Sequence, residues 1–178
     1  MKKSTVILIW GGITAIVSTA FSQILYATGQ DESPLKWINT ALVFLGLLIG
    51  TFQVRSKSNG GYITYGEGFM AGFLMTCINT VVAVIATIVG LQIHPDMIDK
   101  IRERGLTDMI NKGYDEKQIE MGKHMMETFT TPVAIVIEVI IITLFFGSLF
   151  SLITAAICNK KKPIFDDSDT TASNTPQV

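Results

Sequence analysis

Four long apolar blocks alternate with short polar stretches along the chain. Each block is 20 residues or more and nearly free of charge; they cover roughly residues 5–27, 35–54, 69–93 and 132–158. A helix needs about 20 apolar residues to cross the hydrocarbon core of a bilayer, about 30 Å thick. A buried helix of a soluble protein would show a polar face and more charge. The pattern therefore predicts an all-α integral membrane protein with four transmembrane helices.

The stretch between the third and fourth blocks, residues 94–131, is polar and has helical periodicity. Pro95 suits the first turn of one helix, and Gly113 suits its C-terminal end. Asp115, followed by Gln118 three residues later, is a variant of the capping box that begins a second helix. We predict an extracytoplasmic amphipathic helical hairpin whose apolar faces lie on the membrane surface or on the spans.

The orientation of the chain follows from its basic residues. Each side of the predicted topology carries seven. On one side they cluster at span ends; these are Lys2, Lys3, Arg55, Lys57, Lys160, Lys161 and Lys162. On the other side they are spread over a much longer stretch. Lysine and arginine close to span ends favour the cytoplasm, so we predict both termini to be cytoplasmic and the protein to lie in the cell (inner) membrane.

The chain divides into one transmembrane domain, residues 1–160, and a polar, acidic tail, residues 161–178, that we predict to be a disordered cytoplasmic segment. The N-terminal block leaves an alternative open. Two lysines, an apolar run and the small residues 18–20 also fit a cleaved signal peptide. The apolar character continues as far as Tyr26, and that length favours a spanning helix.

Composition agrees with a membrane protein and narrows its chemistry. Hydrophobic residues make up 48% and charged residues 16%, against about 25% charged in soluble domains. The net charge of −1 and the lack of a basic stripe argue against a nucleic-acid partner. Cys77 and Cys158 fall at different depths, so they predict no disulfide framework.

One histidine lies between two carboxylates at helical spacing. Glu120, His124 and Glu127 are four and three residues apart and share a helix face. A zinc site needs more ligands, and Lys123 stands among these three. We interpret the group as a solvated charged face, and we predict no metal, no cofactor and no catalytic residues.

Small residues recur at helical spacing within the spans. Helices in lipid associate where small residues let their backbones approach. The predicted helix-packing positions are Gly46, Gly50, Gly68, Gly72 and Gly147. An alternative hypothesis is that Asn79 and the threonines line a narrow polar path.

Glu138 stands inside the apolar run of the fourth block, about 9 Å from its end at 1.5 Å per residue. Ionisable residues inside spans are candidates for function. We predict a buried polar layer around Glu138, with hydrogen-bond partners among Gln23, Asn39 and Thr87. Glu138 is nine residues from Gly147, which places the two on opposite sides of the helix. A bond to a neighbouring helix, a cover by the hairpin and an interface with another chain all remain open.

Two stretches carry a family resemblance, "GGYITYGEGFMAGF" at residues 60–73 and "GYDEKQIEMGKHMMETFTTP" at residues 113–132. With four spans and a long third connection, they resemble the DUF4199 family of bacterial, Bacteroidota-type membrane proteins of unknown function. The resemblance covers roughly residues 1–160. It implies the four-span topology and transfers no activity, cofactor or site residue.

Three functions are compatible with these features. The first is an accessory or structural membrane component, with the lipid bilayer around it and either a second copy or an unidentified membrane protein as partner. The second is a small oligomeric transporter or proton-coupled carrier that uses Glu138. The third and least favoured is an intramembrane enzyme, because neither histidine falls inside a span and no catalytic motif is present. We therefore predict that the protein is not an enzyme.

Overall fold

A computed structural model describes residues 2–30 and 33–161. The helices in these residues are α1 (Lys3–Ala27), α2 (Lys36–Ser58), α3 (Tyr65–Ile93), α4 (Met97–Asn111), α5 (Glu116–Phe129) and α6 (Pro132–Cys158). Four of them, α1, α2, α3 and α6, are long and apolar enough to cross a membrane. The predicted all-α fold with four potential spans is confirmed. The tail predicted to be disordered lies, from residue 162 onward, outside the described residues.

The helix ends differ from the predicted spans because capping, and not hydropathy, decides where a helix begins. Helix α3 starts at Tyr65, four residues before the predicted position 69. Thr64 and Glu67 form a reciprocal capping box there, which satisfies free backbone N–H groups. Helix α2 continues to Ser58, past the predicted end at residue 54.

The four long helices form a bundle in which α3 lies beside α1 and α6, and α2 lies beside α1 and α6. We call the end with Lys3 and Cys158 the proximal end and the end that carries α4 and α5 the distal end. The hydrophobic core is concentrated toward the proximal end, where Val6, Val54 and Met75 are almost fully buried.

Hydrogen bonds to the backbone connect the proximal ends of the helices. Ile63 in the α2–α3 connection and Lys160 after α6 each donate a backbone hydrogen bond to the other, at 3.0 and 2.9 Å. The Arg55 guanidinium donates to the Cys158 carbonyl at 3.2 Å. These contacts join α2, α3 and α6 at one level of the bundle.

Helices α4 and α5 contact each other through methionine side chains that lie over glycines. A Cβ added at Gly105 would lie 2.8 Å from the Met126 sulfur, and Gly122 faces Met109 in the same way. Arg102 also donates from Nε to the Thr130 hydroxyl at 2.8 Å, beyond the end of α5. The two short helices therefore contact each other at several points along their length.

Candidate functional site

Polar side chains of α1, α2 and α3 converge on a cavity of about 810 Å³, which α6 closes on its fourth side. Along α2 the cavity extends from Lys36 to Leu47, about 16 Å at 1.5 Å per residue. Gln23, Lys36 and Trp37 are exposed at its distal rim, whereas Leu47 is almost fully buried. The cavity thus runs from the distal surface to the middle of the bundle.

Four of the five polar residues singled out in the sequence line this cavity: Gln23, Asn39, Asn79 and Thr87. Two of them connect helices. Asn39 donates from Nδ2 to the Ser22 hydroxyl at 2.9 Å, which joins α2 to α1. The Ser18 hydroxyl lies 3.2 Å from Asn79 Oδ1, to which it donates, and joins α1 to α3. The polar layer therefore exists, but it is centred on α1.

The cavity wall carries hydrogen-bonding groups, some of which are already occupied within the helices. The hydroxyls of Thr14, Thr76 and Thr87 each donate to the backbone carbonyl four residues earlier, at 2.7, 3.1 and 2.9 Å. Their hydrogens are then occupied, while their oxygen lone pairs remain available. Asn39 Oδ1 is buried and has no partner. The hydroxyls of Thr19, Thr40 and Thr143 also line the cavity and make no hydrogen bond within the described residues. A molecule in the cavity would therefore meet both acceptors and donors.

The distribution of close helix contacts explains why the cavity lies in the distal half. Near the proximal end, an added Cβ at Gly68 would lie 3.2 Å from the Ala155 Cα, and one at Gly72 would lie 2.8 Å from the Ser151 hydroxyl. At Gly90, nearer the distal end of α3, it would meet nothing within 4 Å. Helices α3 and α6 thus touch backbone to backbone in the proximal half and leave α3 uncovered at Gly90.

The remaining predicted packing glycines also lie at helix contacts. Gly147 of α6 faces Thr76 of α3, and Gly46 of α2 faces Thr14 of α1. Gly50 lies against the Met75 sulfur, where an added Cβ would come within 2.5 Å. Thr14, Thr76 and Gly147 also line the cavity, so these contacts form its inner end.

Glu138 is outside the polar layer that was predicted around it. Its side chain is exposed, does not line the cavity, and makes no hydrogen bond or ion pair within residues 2–30 and 33–161. The predicted bonds to Gln23, Asn39 or Thr87 are wrong, because those residues line the cavity and Glu138 does not. On α6 it is surrounded by Ile137, Ile141 and Phe145, each more than half exposed.

Two residues that line the cavity were not among the site residues predicted from the sequence. Lys36 contributes the charged group of its lining, and Thr143 of α6 adds a hydroxyl with no internal partner among the described residues. A signal was present for Lys36, because Lys36, Asn39, Val43 and Leu47 follow each other at helical spacing and all line the cavity. For Thr143 the only signal was the general hypothesis that Asn79 and the threonines line a polar path.

The titratable residues of the distal segment form no metal site. Glu120, His124 and Glu127 are exposed on α5, and no group of three or more metal-ligating side chains occurs in the part of the chain that the structure describes. At the start of α4, the ammonium of Lys100 lies 2.5 Å from the carboxylate of Asp96, the residue before the helix, and donates to it. This hydrogen bond holds the pKa of Asp96 below its usual range.

Comparison with known proteins gives a family and no activity. Neither the curated proteins nor the solved structures contain a match to this chain. A family model described as "Protein of unknown function (DUF4199)" matches residues 9–160, which include all four candidate spans apart from the first residues of α1. The chain therefore belongs to the DUF4199 family, as its sequence motifs predicted.

Proposed function

We propose that this protein is a non-catalytic accessory component of the cell membrane, and that the exposed face of α6 binds a transmembrane helix of a different membrane protein. The single observation that carries the proposal is the exposed Glu138 within an apolar helix face. We define this face by Val133, Ile137, Glu138, Ile141 and Phe145, all of which are exposed.

The free-energy cost of a bare carboxylate in lipid favours a partner. An acidic side chain deep in a transmembrane helix costs up to about 3 kcal/mol on insertion scales. A hydrogen-bond donor on a neighbouring helix removes part of this cost, because interhelical bonds in lipid contribute about 0.6–2 kcal/mol. The large apolar side chains around Glu138 supply the van der Waals contact that such an interface also requires.

Charge complementarity favours a partner with a different sequence. Within the four long helices, lysine and arginine occur only near the helix ends, at Lys3, Lys36, Arg55 and Lys57. Glu138 lies about 9 Å inside α6 at 1.5 Å per residue. A second copy of this chain would therefore present another carboxylate at that depth. A partner helix with Lys, Arg or His at the matching depth would supply the missing cation.

The proposed orientation has both termini in the cytoplasm and α4 and α5 on the outer side as an amphipathic hairpin. Basic residues close to the proximal helix ends support it, because such clusters favour the cytoplasm. On α5, the exposed Met121, Met125 and Phe129 would rest on the outer surface of the bilayer. The bilayer and the partner helix are then the two environments of the protein.

The carrier hypothesis receives less support in the form that uses Glu138. A titrating group of a carrier must face the path of its solute, and Glu138 lies outside the cavity lining. The cavity nevertheless has a chemistry of its own, which the proposed interface does not use.

Photo-crosslinking at the α6 face tests the proposal. A photoreactive amino acid replaces Ile141, one turn from Glu138, in cells that naturally make the protein. Leu8, an exposed residue of α1, provides the matched control position. We expect a crosslink to one membrane protein from position 141 and none from position 8. We expect Glu138→Leu to reduce the crosslink by about threefold to thirtyfold, because the bond to the partner, about 0.6–2 kcal/mol, is lost.

The sequence of the crosslinked protein determines whether the result supports the proposal. A crosslinked protein with a basic residue inside a span supports the proposal. Crosslinks to lipid alone, or to a second copy of this chain, would overturn it, as would an unchanged crosslink in Glu138→Leu. Glu138→Gln, which keeps the shape of the side chain, separates loss of charge from loss of packing.

A further inference from the structure

We propose that the cavity between the four long helices is a water-filled vestibule, open at the distal end, that binds small uncharged solutes with several hydroxyl groups, which both donate and accept hydrogen bonds. Glycerol and related polyols are the chemical class that fits. Lys36 at the rim disfavours the entry of cations. This site is separate from the α6 face that carries Glu138.

The lining of the cavity favours water over lipid. Hydroxyl and amide groups come from every helix that borders it, including Thr19, Thr40 and Thr143, for which no internal hydrogen bond occurs among the described residues. Acyl chains would leave such groups unsatisfied, whereas water satisfies them at little cost. About 810 Å³ is ample space for several water molecules or a small solute.

The hydrogen-bonding character of the wall selects the ligand class. The occupied hydroxyls of Thr14, Thr76 and Thr87 present acceptors. The free hydroxyls of Thr19, Thr40 and Thr143 can donate as well as accept. A polyol brings several O–H donors, and its C–H faces can lie against the apolar wall that Ile142 and Phe146 provide on α6. A molecule with acceptors only would leave the acceptors of this wall without a hydrogen-bond partner.

Charge selection comes from the rim. Lys36 is the charged side chain among the residues that line the cavity, and it is exposed at the distal end. Its ammonium group has no ion-pair partner among the described residues. A single positive charge at the mouth of a low-dielectric cleft raises the energy of cations entering it and lowers that of anions.

Thiol accessibility tests the vestibule directly. Cys77→Ser removes the more exposed native thiol and serves as the parent variant. The reactivity of its remaining thiol, the buried Cys158, is measured as the background. Thr143→Cys then places a thiol in the cavity, and Thr19→Cys is a second position in case the first variant does not fold. The proteins are held in lipid nanodiscs and reacted with anionic or cationic methanethiosulfonate reagents. Rates are normalised to those of a free thiol in solution.

We expect both cavity thiols to react, with the anionic reagent favoured. Ile141→Cys, exposed on the outside of the same helix, should stay unreactive because thiols in lipid are not solvated. Lys36→Glu should lower the anionic-to-cationic rate ratio by about tenfold or more. Lys57→Glu at the proximal end, which is not part of the lining, should leave the ratio unchanged.

Protection identifies the ligand class. Glycerol should slow the reaction of the Thr143→Cys variant more than 1,2-dimethoxyethane, which is similar in size and has no donor. Thr87→Val, which removes one acceptor from the wall, should reduce the protection by glycerol. Unreactive thiols at both cavity positions would overturn the vestibule. Equal protection by the two solutes, or a charge preference unaffected by Lys36→Glu, would overturn the assigned ligand class or the role of Lys36.

Discussion

At the scale of single residues, Gly61 controls how the chain enters α3. Its φ angle is +89°, in a region that side chains with a Cβ rarely adopt. Its backbone N–H donates to the Arg55 carbonyl at 2.9 Å, and two residues later Ile63 pairs with Lys160. The left-handed turn therefore positions the backbone contact that joins the α2–α3 connection to the end of α6.

We expect Gly61→Ala to lower the free energy of unfolding by about 1–2 kcal/mol, because an L-residue is strained in this conformation. Gly66→Ala is the matched control, since Gly66 lies in the first turn of α3 with nothing near its Cβ position. It should be neutral or slightly stabilising. Equilibrium unfolding by SDS in mild detergent micelles measures both. Equal stabilities of the two variants would contradict the proposed importance of the turn.

Glu138 shows what residue identity alone can and cannot predict. Its depth and its orientation away from Gly147 follow from helical geometry, and the exposed side chain agrees with that geometry. Its predicted partners were chosen by depth alone. The depth of a residue along its helix does not determine whether its side chain faces the other helices, and Glu138 lies on the outer face of α6.

At the scale of elements, α3 uses one stripe of small and polar residues for two purposes. In its proximal half, Gly68 and Gly72 bring its backbone against α6. Farther along, Asn79 and Thr87 on the same side line the cavity. Small residues permit close packing wherever a neighbouring helix is near, and the same residues become a polar lining where that helix is farther away.

We expect Gly72→Ala to destabilise the protein by about 1–3 kcal/mol, because its Cβ would lie 3.2 Å from the Ser151 backbone and force α3 and α6 apart. Gly90→Ala on the same helix adds a methyl group into open space and should not destabilise. Thermal unfolding in detergent, followed by circular dichroism, distinguishes them. If Gly90→Ala were the more harmful change, helix contact in the proximal half would not be what stabilises the bundle.

At the scale of the whole molecule, the two ends of the bundle differ. The proximal end is closed by core packing and by backbone bonds between Ile63 and Lys160, whereas the distal end holds the cavity and the pair α4 and α5. An even number of spans returns the chain to the side where it started. The cavity lies at the end of the bundle opposite Lys3 and Cys158.

Reporter fusions test this topology in cells. A fluorescent protein fused after Lys161 should fold in the cytoplasm and emit light. Alkaline phosphatase inserted at the α4–α5 turn, next to Gly113, should be active because it requires an extracytoplasmic environment. We expect the reverse pair, phosphatase after Lys161 and the fluorescent protein at the turn, to be silent. Activity of the reverse pair would invert the proposed orientation.

The sequence by itself determined the elements. The lengths of the apolar blocks specify four candidate spans, the capping box of Asp115 and Gln118 specifies the start of α5, and the motifs at residues 60–73 and 113–132 indicated the family. These properties are local, because a helix satisfies its own backbone hydrogen bonds and its caps lie within a few residues. The glycine positions at helix contacts follow from the same local spacing.

Only the tertiary structure decided how the polar residues are distributed in space. It brought Gln23, Asn39, Asn79 and Thr87 to one cavity, added Lys36 at the rim, and left Glu138 outside. The residues that pack one helix against another and the residues that line the cavity are of the same small and polar types, so the sequence of a helix does not tell them apart. The distance to the facing helix decides which of the two roles a residue has, and that distance depends on how all four helices pack together.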